Sequence, residues 1–236
     1  MKKILLAIFC IPLFSYAQKE KTFEIGAHLN FHSNNHSGLM QYGNREKQNT
    51  LFTDGGLSLQ YYLKDNFSLV GEINYKTLDT EKHDPDGLIG SSRHVTETFQ
   101  SSIIEIPLMA RYHYRFNNWK IFGNLGPTIN FHVKNPEAKF SYDAFQIQNP
   151  PFETVPGVTI DEDLKNYFST VYLGYGAGLG VAYQWNTKWL VTIEYRITQS
   201  FANNAKDKIG SYDTEVQIKD FKYNANQFTI GVGYKL

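Results

Sequence analysis

The last nine residues of the chain alternate apolar with small or polar side chains up to the final position. The apolar members are Phe228, Ile230, Val232, Tyr234 and Leu236. Because successive side chains of a β-strand point to opposite faces, this segment predicts a strand with one apolar and one polar face. Such a strand fits the wall of a transmembrane β-barrel, which has lipid on one side and a filled interior on the other.

The opposite end of the chain has the pattern of a secretory signal peptide. Two lysines follow the first residue, residues 4–14 form a short apolar core, and the small residue Ala17 ends the segment. We expect residues 1–17 to be removed and residues 18–236 to form one outer-membrane β-barrel domain. Cys10, the only cysteine, lies inside the leader, so the mature chain would have no disulfide bond.

Alternation along the chain predicts eight strands, each long enough to cross a membrane, since a tilted spanning strand needs about 9–11 residues. The predicted strands are residues 22–32, 50–63, 67–79, 99–114, 119–133, 167–185, 188–202 and 226–236. Three short turns alternate with long polar segments at 33–49, 80–98, 134–166 and 203–225. This order predicts an all-β, eight-stranded antiparallel up-and-down transmembrane β-barrel with its short turns in the periplasm.

Composition agrees with a membrane barrel whose polar interior and loops dilute its apolar face. The mean hydropathy is -0.40, yet 15% of the residues are aromatic. Seven aromatic residues fall next to the short turns or the C-terminus, where we predict a girdle at the membrane interface. They are Tyr61, Phe67, Tyr114, Trp119, Trp185, Trp189 and Tyr234. The 23 basic residues balance 23 acidic ones, so we expect no nucleic-acid partner.

Charged side chains fall on the inward positions of the predicted strands. Eight of them are predicted to form a network: Glu24, Asp54, Glu72, Glu105, Arg111, Lys120, Glu194 and Arg196. Lys76 and Lys235 complete a set of five acids and five bases. Buried charges are costly unless they are paired, and an eight-stranded barrel holds only its own side chains or one small ligand. We therefore predict a closed, salt-bridged lumen.

Four glycines occupy the inward positions of the sixth predicted strand. They are Gly174, Gly176, Gly178 and Gly180. They would leave room for large neighbours such as Arg111 or Arg196, or allow the sheet to bend strongly. We favour the first interpretation.

Three histidines near the first strand suggest a metal site. His28 and His32 share a strand face and His36 follows, but residues four apart on a strand are separated by about 13 Å. Two such side chains cannot bind one ion together. We expect polar lumen residues and a loop histidine, with no metal and no cofactor.

An enzyme at the outer rim of the barrel is a further alternative. His94, His132, Ser169 and Ser200 fall near that rim. A hydrolase would need a nucleophile, a histidine and an orienting acid within hydrogen-bonding reach. The chain has no Gly-x-Ser-x-Gly sequence, so we expect a protein without enzymatic activity.

Several segments carry a resemblance to a known family. They are residues 104–108, 122–127, 174–180, 194–196 and 231–234. On these segments, the chain resembles the outer-membrane β-barrel domain family typified by PorT. The resemblance implies a small OmpA- or OmpX-type barrel, recognition of the C-terminal strand by the barrel-insertion machinery, and a possible role as a secretion-system accessory.

The long segment 134–166 could provide a binding surface outside the membrane. Its apolar side chains either present such a surface or pack against other loops; they are Phe140, Tyr142, Phe145, Phe152 and Val155. We expect a monomeric outer-membrane barrel of a Gram-negative bacterium, embedded in lipid, with structural or surface-interaction roles and an extracellular or envelope protein as partner. A narrow channel or small-ligand carrier, a PorT-like accessory and a rim lipid hydrolase are the alternatives.

Overall fold

The computed structural model describes residues 22–37, 46–47, 51–84, 95–142, 145–146, 154–163, 168–201 and 222–236. Within these residues, eight long strands form a ring. They are β1 (Phe23–Ser37), β2 (Leu51–Lys64), β3 (Phe67–Thr77), β4 (Val95–Phe116), β5 (Trp119–Tyr142), β6 (Val171–Gln184), β7 (Trp189–Ser200) and β8 (Lys222–Lys235). Each strand pairs antiparallel with its neighbours in sequence. The ring confirms the predicted eight-stranded antiparallel up-and-down barrel.

The ring closes between the first and the last strand. β1 and β8 pair without interruption from Glu24 opposite Lys235 to Ser37 opposite Lys222. Lipid offers no hydrogen-bond partners, so closure is what satisfies the backbone of both terminal strands. Among the described residues, no helix is long and apolar enough to cross a membrane.

The three short turns and the C-terminal residue lie at one end of the barrel, which we call the turn end; the opposite end is the loop end. Asn117 has a φ of 51°, a left-handed conformation that asparagine adopts more readily than most residues. In the last turn, Oδ1 of Asn186 accepts the backbone N–H groups of Lys188 and Trp189, each over 2.8 Å. The Asn186 side chain therefore stabilises the last of the three turns.

The burial pattern is that of a barrel with an apolar outside. Leu57, Leu125 and Leu179 are 63 to 73% exposed, whereas Lys76 and Arg196 are at most 1% exposed. Lipid would cover the first group, and the interior of the barrel buries the second. Gly55 and Gly56 in β2 cause no register shift, so the predicted faces of that strand are kept.

The strands continue beyond the predicted limits at the loop end. β4 begins at Val95 instead of residue 99, and β5 ends at Tyr142 instead of residue 133. Short strands at Thr80–Asp84 and Val158–Asp163 pair with these extensions, inside segments predicted to be loops. The prediction followed the apolar alternation, which stops before the hydrogen-bonded ladder does. Two further short pairings are Glu46–Lys47 with Lys82–His83, and Phe145–Gln146 with Thr154–Val155.

Replacing Gly126 in β5 tests how closely β4 and β5 approach each other. A methyl group at Gly126 would collide with the backbone carbonyl of Leu108, whereas at Gly71 its nearest neighbour would be a side-chain carbon 3.8 Å away. We expect Gly126→Ala to lower the free energy of unfolding by about 1–3 kcal/mol. Gly71→Ala should change it by less than about 0.5 kcal/mol. Urea unfolding in lipid vesicles measures both, and equal effects would contradict the close approach.

Candidate functional site

The interior of the barrel is built around the guanidinium of Arg196 on β7. Its Nη1 and Nη2 donate to the two carboxylate oxygens of Glu72 over 2.7 Å each, and its Nε donates to Oε1 of Glu194 over 2.6 Å. All three side chains are buried. Glu72 belongs to β3, which lies opposite β7 in the ring, so this bidentate pair bridges the lumen.

Arg111 on β4 extends this cluster toward the turn end. Its Nη2 donates to Oε2 of Glu194 over 3.3 Å, its Nε to Asn124 over 2.7 Å and its Nη1 to Gln60 over 3.0 Å. The guanidinium carbon lies 4.1 Å from the centre of the Phe122 ring. The arginine thus contacts groups from β2, β5 and β7, and every donor nitrogen of its guanidinium has an acceptor.

A second ion pair lies toward the loop end. Nζ of Lys76 and Oε2 of Glu105 are 2.5 Å apart, and both side chains are at most 1% exposed. Nδ2 of Asn74 donates to Glu105 over 3.4 Å and to Glu72 over 3.3 Å. This amide connects the second pair to the cluster around Arg196.

Asp54 lies outside that connected cluster. Its Oδ2 accepts the backbone N–H of Thr77 over 3.1 Å and lies 3.2 Å from Nδ1 of His32. Nε2 of His32 in turn contacts the carbonyl oxygen of Thr77 at 3.0 Å. The hydroxyl of Thr77 also donates to Oδ1 of Asp54 over 3.4 Å, so the carboxylate is held by one histidine and by Thr77 instead of by a lysine or arginine.

Glu24 and Lys120 lie at the turn end and do not pair directly. The hydroxyl of Tyr62 donates to Oε2 of Glu24 over 2.6 Å and accepts from Nζ of Lys120 over 3.1 Å. Lys235, half-buried beside them, donates to Oε1 of Gln184 over 3.1 Å. The structure therefore divides the ten inward charges into a connected central cluster and two smaller groups near the ends.

Three of the four inward glycines of β6 lie against large side chains, though not chiefly the expected arginines, whereas Gly174 lies against the backbone of Gln199 and the hydroxyl of Thr128. A methyl group at Gly178 would meet the carboxylate of Glu194 at 2.6 Å, and one at Gly176 would meet Cε of Met109 at 2.7 Å. One at Gly180 would collide with the Phe122 ring. The glycines thus make room mainly for acidic, thioether and aromatic groups, while the aliphatic part of Arg196 lies 3.7 Å from the Gly176 position.

Little space is left between the inward side chains. A cavity of about 30 Å³ lies beside Glu72, Arg111, Glu194 and Arg196, and one of about 10 Å³ lies beside Tyr62 and Arg111. A cavity needs about 10–15 Å³ to hold one water molecule. These two spaces can therefore hold isolated water molecules.

An apolar layer crosses the lumen above the charged cluster. Five buried side chains form it: Leu78, Ile103, Tyr172, Tyr223 and Ala225. Farther toward the loop end, Phe99 and Phe168 are buried and their ring centres are 5.9 Å apart. The sequence analysis missed this layer, although Ile103, Tyr172 and Tyr223 share the strand face of the charged residues.

The histidines considered for a metal site have separate partners. Nε2 of His28 lies 2.6 Å from Oδ1 of Asn74, and His32 contacts Asp54 and Thr77 as described above. The side chain of His36 lies outside the described residues. Among those that the structure describes, no group of three or more His, Cys, Asp or Glu side chains is arranged to hold a metal ion.

The rim contains a serine–histidine contact that sequence reasoning missed. Oγ of Ser101 lies 2.8 Å from Nδ1 of His132 and 3.1 Å from the carbonyl oxygen of Lys134, to which it donates. The Ser101 hydroxyl therefore has two partners, the ring of His132 and this carbonyl. Ser200 accepts the backbone N–H of Tyr223, and Ser169 lies just before β6. His94 lies outside the described residues.

The seven aromatic residues predicted to form a girdle all lie at the turn end. Two of them stack on other aromatic rings, with centre separations of 4.9 Å for Tyr61 on Phe23 and 4.8 Å for Trp119 on Tyr183. Trp189 and Tyr234 contact each other at 4.9 Å. Tyr114, Trp185 and Phe67 complete the ring of positions, and their contact with the membrane interface stays a prediction.

Two other sequence-based expectations fall on parts that the structure leaves undescribed. The proposed signal peptide, residues 1–17, is one. The other is the apolar loop surface, because Phe152 and the side chains of Phe140, Tyr142, Phe145 and Val155 lie outside the described part of the chain.

Comparison with known proteins identifies the kind of barrel. The model of the outer membrane protein beta-barrel domain family matches residues 4–235. A search of curated proteins finds no match. The outer membrane protein OprG from Pseudomonas aeruginosa is similar in structure, with a TM-score of 0.50, 13% sequence identity, and coverage of 92% of this chain and 96% of OprG. At this identity, the likeness shows the fold alone.

Two other solved barrels are similar at lower scores. Neisserial surface protein A has a TM-score of 0.45 at 13% identity, covering 91% of this chain and 97% of its own. The outer membrane protease OmpT from Escherichia coli has a TM-score of 0.44 at 9% identity, covering 93% of this chain and 98% of its own.

Replacing the central arginine tests how much the buried cluster contributes to stability. Arg196→Ala would leave the carboxylates of Glu72 and Glu194 without their main partner, so we expect it to lower the free energy of unfolding by about 3–5 kcal/mol. Arg196→Lys should recover part of the lost free energy of unfolding, since lysine keeps the positive charge but cannot form the bidentate hydrogen bonds to Glu72. Urea unfolding in lipid vesicles provides the measurement.

The matched control is Lys134→Ala. Lys134 lies 3.5 Å from Glu137, and both side chains are about half exposed. Because exposed ion pairs contribute at most about 1 kcal/mol, this substitution should have little effect. A loss for Arg196→Ala no larger than that of the control would contradict a stabilising cluster.

Proposed function

This chain belongs to the outer membrane protein beta-barrel domain family, and we propose that it is a closed barrel that holds loop-end hairpins outside the cell for surface interaction. Membership places the protein in the outer membrane of a Gram-negative bacterium. The observation that carries the proposal is the interior: Arg196 and Arg111 join side chains from five of the eight strands across the lumen. The proposed role is structural or one of surface interaction, with lipid around the barrel wall.

Three features support a closed lumen. The central ion pairs have short hydrogen bonds and little exposure, and the two cavities described beside them have volumes of about 30 and 10 Å³. The apolar layer of Leu78, Ile103, Tyr172, Tyr223 and Ala225 adds a second barrier toward the loop end. A hydrated ion crossing this interior would have to displace buried partners and enter an apolar region, and both steps are costly.

The extension of the barrel strands at the loop end supports the surface-interaction part of the proposal. β4 and β5 continue to Val95 and Tyr142, and short strands at Thr80–Asp84 and Val158–Asp163 widen this region. The barrel strands support this extension, so it does not need contact with lipid to keep its structure. Its edge strands, held by backbone hydrogen bonds, and its loops would contact an extracellular or envelope protein.

For export and membrane insertion, the proposal keeps the expectations drawn from the sequence. We propose that residues 1–17 are cleaved, that the C-terminal strand is recognised by the barrel-insertion machinery, and that the mature barrel is a monomer. The turn end then lies in the periplasm. Mass spectrometry of the purified protein tests the cleavage position, because a mature chain beginning at Gln18 has a defined mass.

The channel alternative gives the sharpest test of the closed lumen. We expect the folded protein in planar bilayers to show no conductance above that of protein-free membranes, since the charged cluster and the apolar layer both block a water path. Heat-modifiable migration in gels shows that the barrel is folded, and a general diffusion porin serves as the positive control. Reproducible single-channel steps from folded protein would overturn the proposal.

Co-purification separates an isolated barrel from a secretion-system accessory. The protein would be extracted in neutral detergent from its own bacterial envelope. Stable association with inner-membrane or periplasmic secretion components would favour the PorT-like alternative. Recovery without such components, together with loss of cell-surface binding on shortening the β4–β5 extension, would favour the surface-interaction role.

A further inference from the structure

The turn end contains a pocket that the closed-lumen proposal does not use. It has a volume of about 540 Å³ and is lined by seven residues: Thr22, Tyr62, Leu63, Lys64, Asp65, Arg115 and Lys235. It is therefore far larger than the two spaces inside the barrel. A pocket of this size admits a small molecule or the head of a larger one.

The lining of this pocket is strongly basic. Lys64, Arg115 and Lys235 contribute three positive charges and Asp65 one negative charge, so the lining has a formal charge of +3 − 1 = +2. The three cations come from the ends of β2, β4 and β8, so they approach the pocket from different sides. Among the described residues, none of the three forms an ion pair with an acidic side chain; Lys235 donates to the neutral amide of Gln184.

These like charges lie close enough to act on one another. Arg115 repels Lys235, and both repel Lys120 just below the pocket, while Glu24 attracts Lys235 and Lys120. Lys64 and Arg115 are exposed and Lys235 is half-buried, so all three cations are accessible from solvent at the pocket. A bound anion would offset the repulsion.

The floor of the pocket separates it from the central cluster. Tyr62 lines the pocket and donates its hydroxyl proton to Glu24, while Lys120 donates to the same hydroxyl. The Tyr62 ring also packs edge-on against His113, with centres 5.6 Å apart. A ligand would therefore enter from the turn end and stay there, in agreement with a closed lumen above.

We propose that this pocket binds a phosphate group, carried by a phospholipid headgroup or by a soluble phosphorylated molecule. A phosphate monoester carries a charge of about −1.5 to −2 at neutral pH, which matches the formal +2 of the lining, whereas a single carboxylate carries only −1. Arginine binds phosphate through two parallel hydrogen bonds, and lysine adds point charges from the other sides. This proposal does not depend on the surface role of the loop end.

Binding of inorganic pyrophosphate to the full mature barrel in a neutral maltoside detergent tests the proposal by titration calorimetry. We expect saturable binding that weakens with added salt. Arg115→Gln should weaken it by about tenfold, and combining it with Lys235→Gln should abolish measurable binding, because the formal charge of the lining falls to zero. Heat-modifiable migration shows that each variant is folded.

The matched control is Lys188→Gln. Lys188 is an exposed lysine at the same end of the barrel, but it contacts the hydroxyl of Tyr234 and does not line the pocket. Its replacement should leave the affinity within about twofold of the original value. No saturable binding by the unchanged protein, or equal binding by the doubly substituted variant, would overturn the proposal.

A second experiment shows whether the bound phosphate belongs to a lipid headgroup or to a soluble molecule. The barrel would be placed in nanodiscs, which leave both ends accessible, made of phosphatidylcholine with or without phosphatidic acid. Weaker pyrophosphate binding in the presence of phosphatidic acid, seen for the unchanged protein and for Lys188→Gln, assigns the site to lipid phosphate. Equal binding in both lipids assigns it to a soluble phosphorylated ligand.

Discussion

Backbone pairing between β1 and β8 is the constraint on which the rest of the structure depends. It runs from Glu24 opposite Lys235 to Ser37 opposite Lys222 and leaves neither terminal strand with an open edge. In lipid, an open edge would leave a row of backbone groups without partners. Closing only eight strands makes the interior narrow, so every second side chain of the wall must fit into one small space.

That narrow interior explains both the charges and the glycines. Arg196 reaches across to Glu72 on the opposite strand, and Gly178 leaves space for Glu194 beside it. The charges are paired because unpaired ones would be too costly so far from water. At the turn end Arg115 is exposed and Lys235 is half-buried, so both cations are accessible to the anion proposed for that pocket.

Much of the fold was predictable because side chains alternate between the two faces of a strand regardless of which strands lie beside it. Pairing partners within the lumen were not predictable in the same way. The register of β3 and β4 places Glu105 opposite Asn74, so Glu105 pairs with its diagonal neighbour Lys76. Tyr62 separates Glu24 from Lys120. Leu78 has the inward parity of Glu72 and Lys76 in the predicted strand 67–79, but parity does not show that it meets Ile103 and Tyr172 in an apolar layer.

The chain's only cysteine is Cys10, which allows the filled lumen to be probed with introduced thiols. Thr198 and Ser68 face the interior and are at most 2% exposed, whereas Asn118 in a turn is exposed. The measurement is modification of Thr198→Cys, Ser68→Cys and Asn118→Cys by a charged, membrane-impermeant methanethiosulfonate reagent. A filled lumen predicts that only the turn site reacts until urea unfolds the barrel. Equally fast modification at all three sites in the folded protein would contradict it.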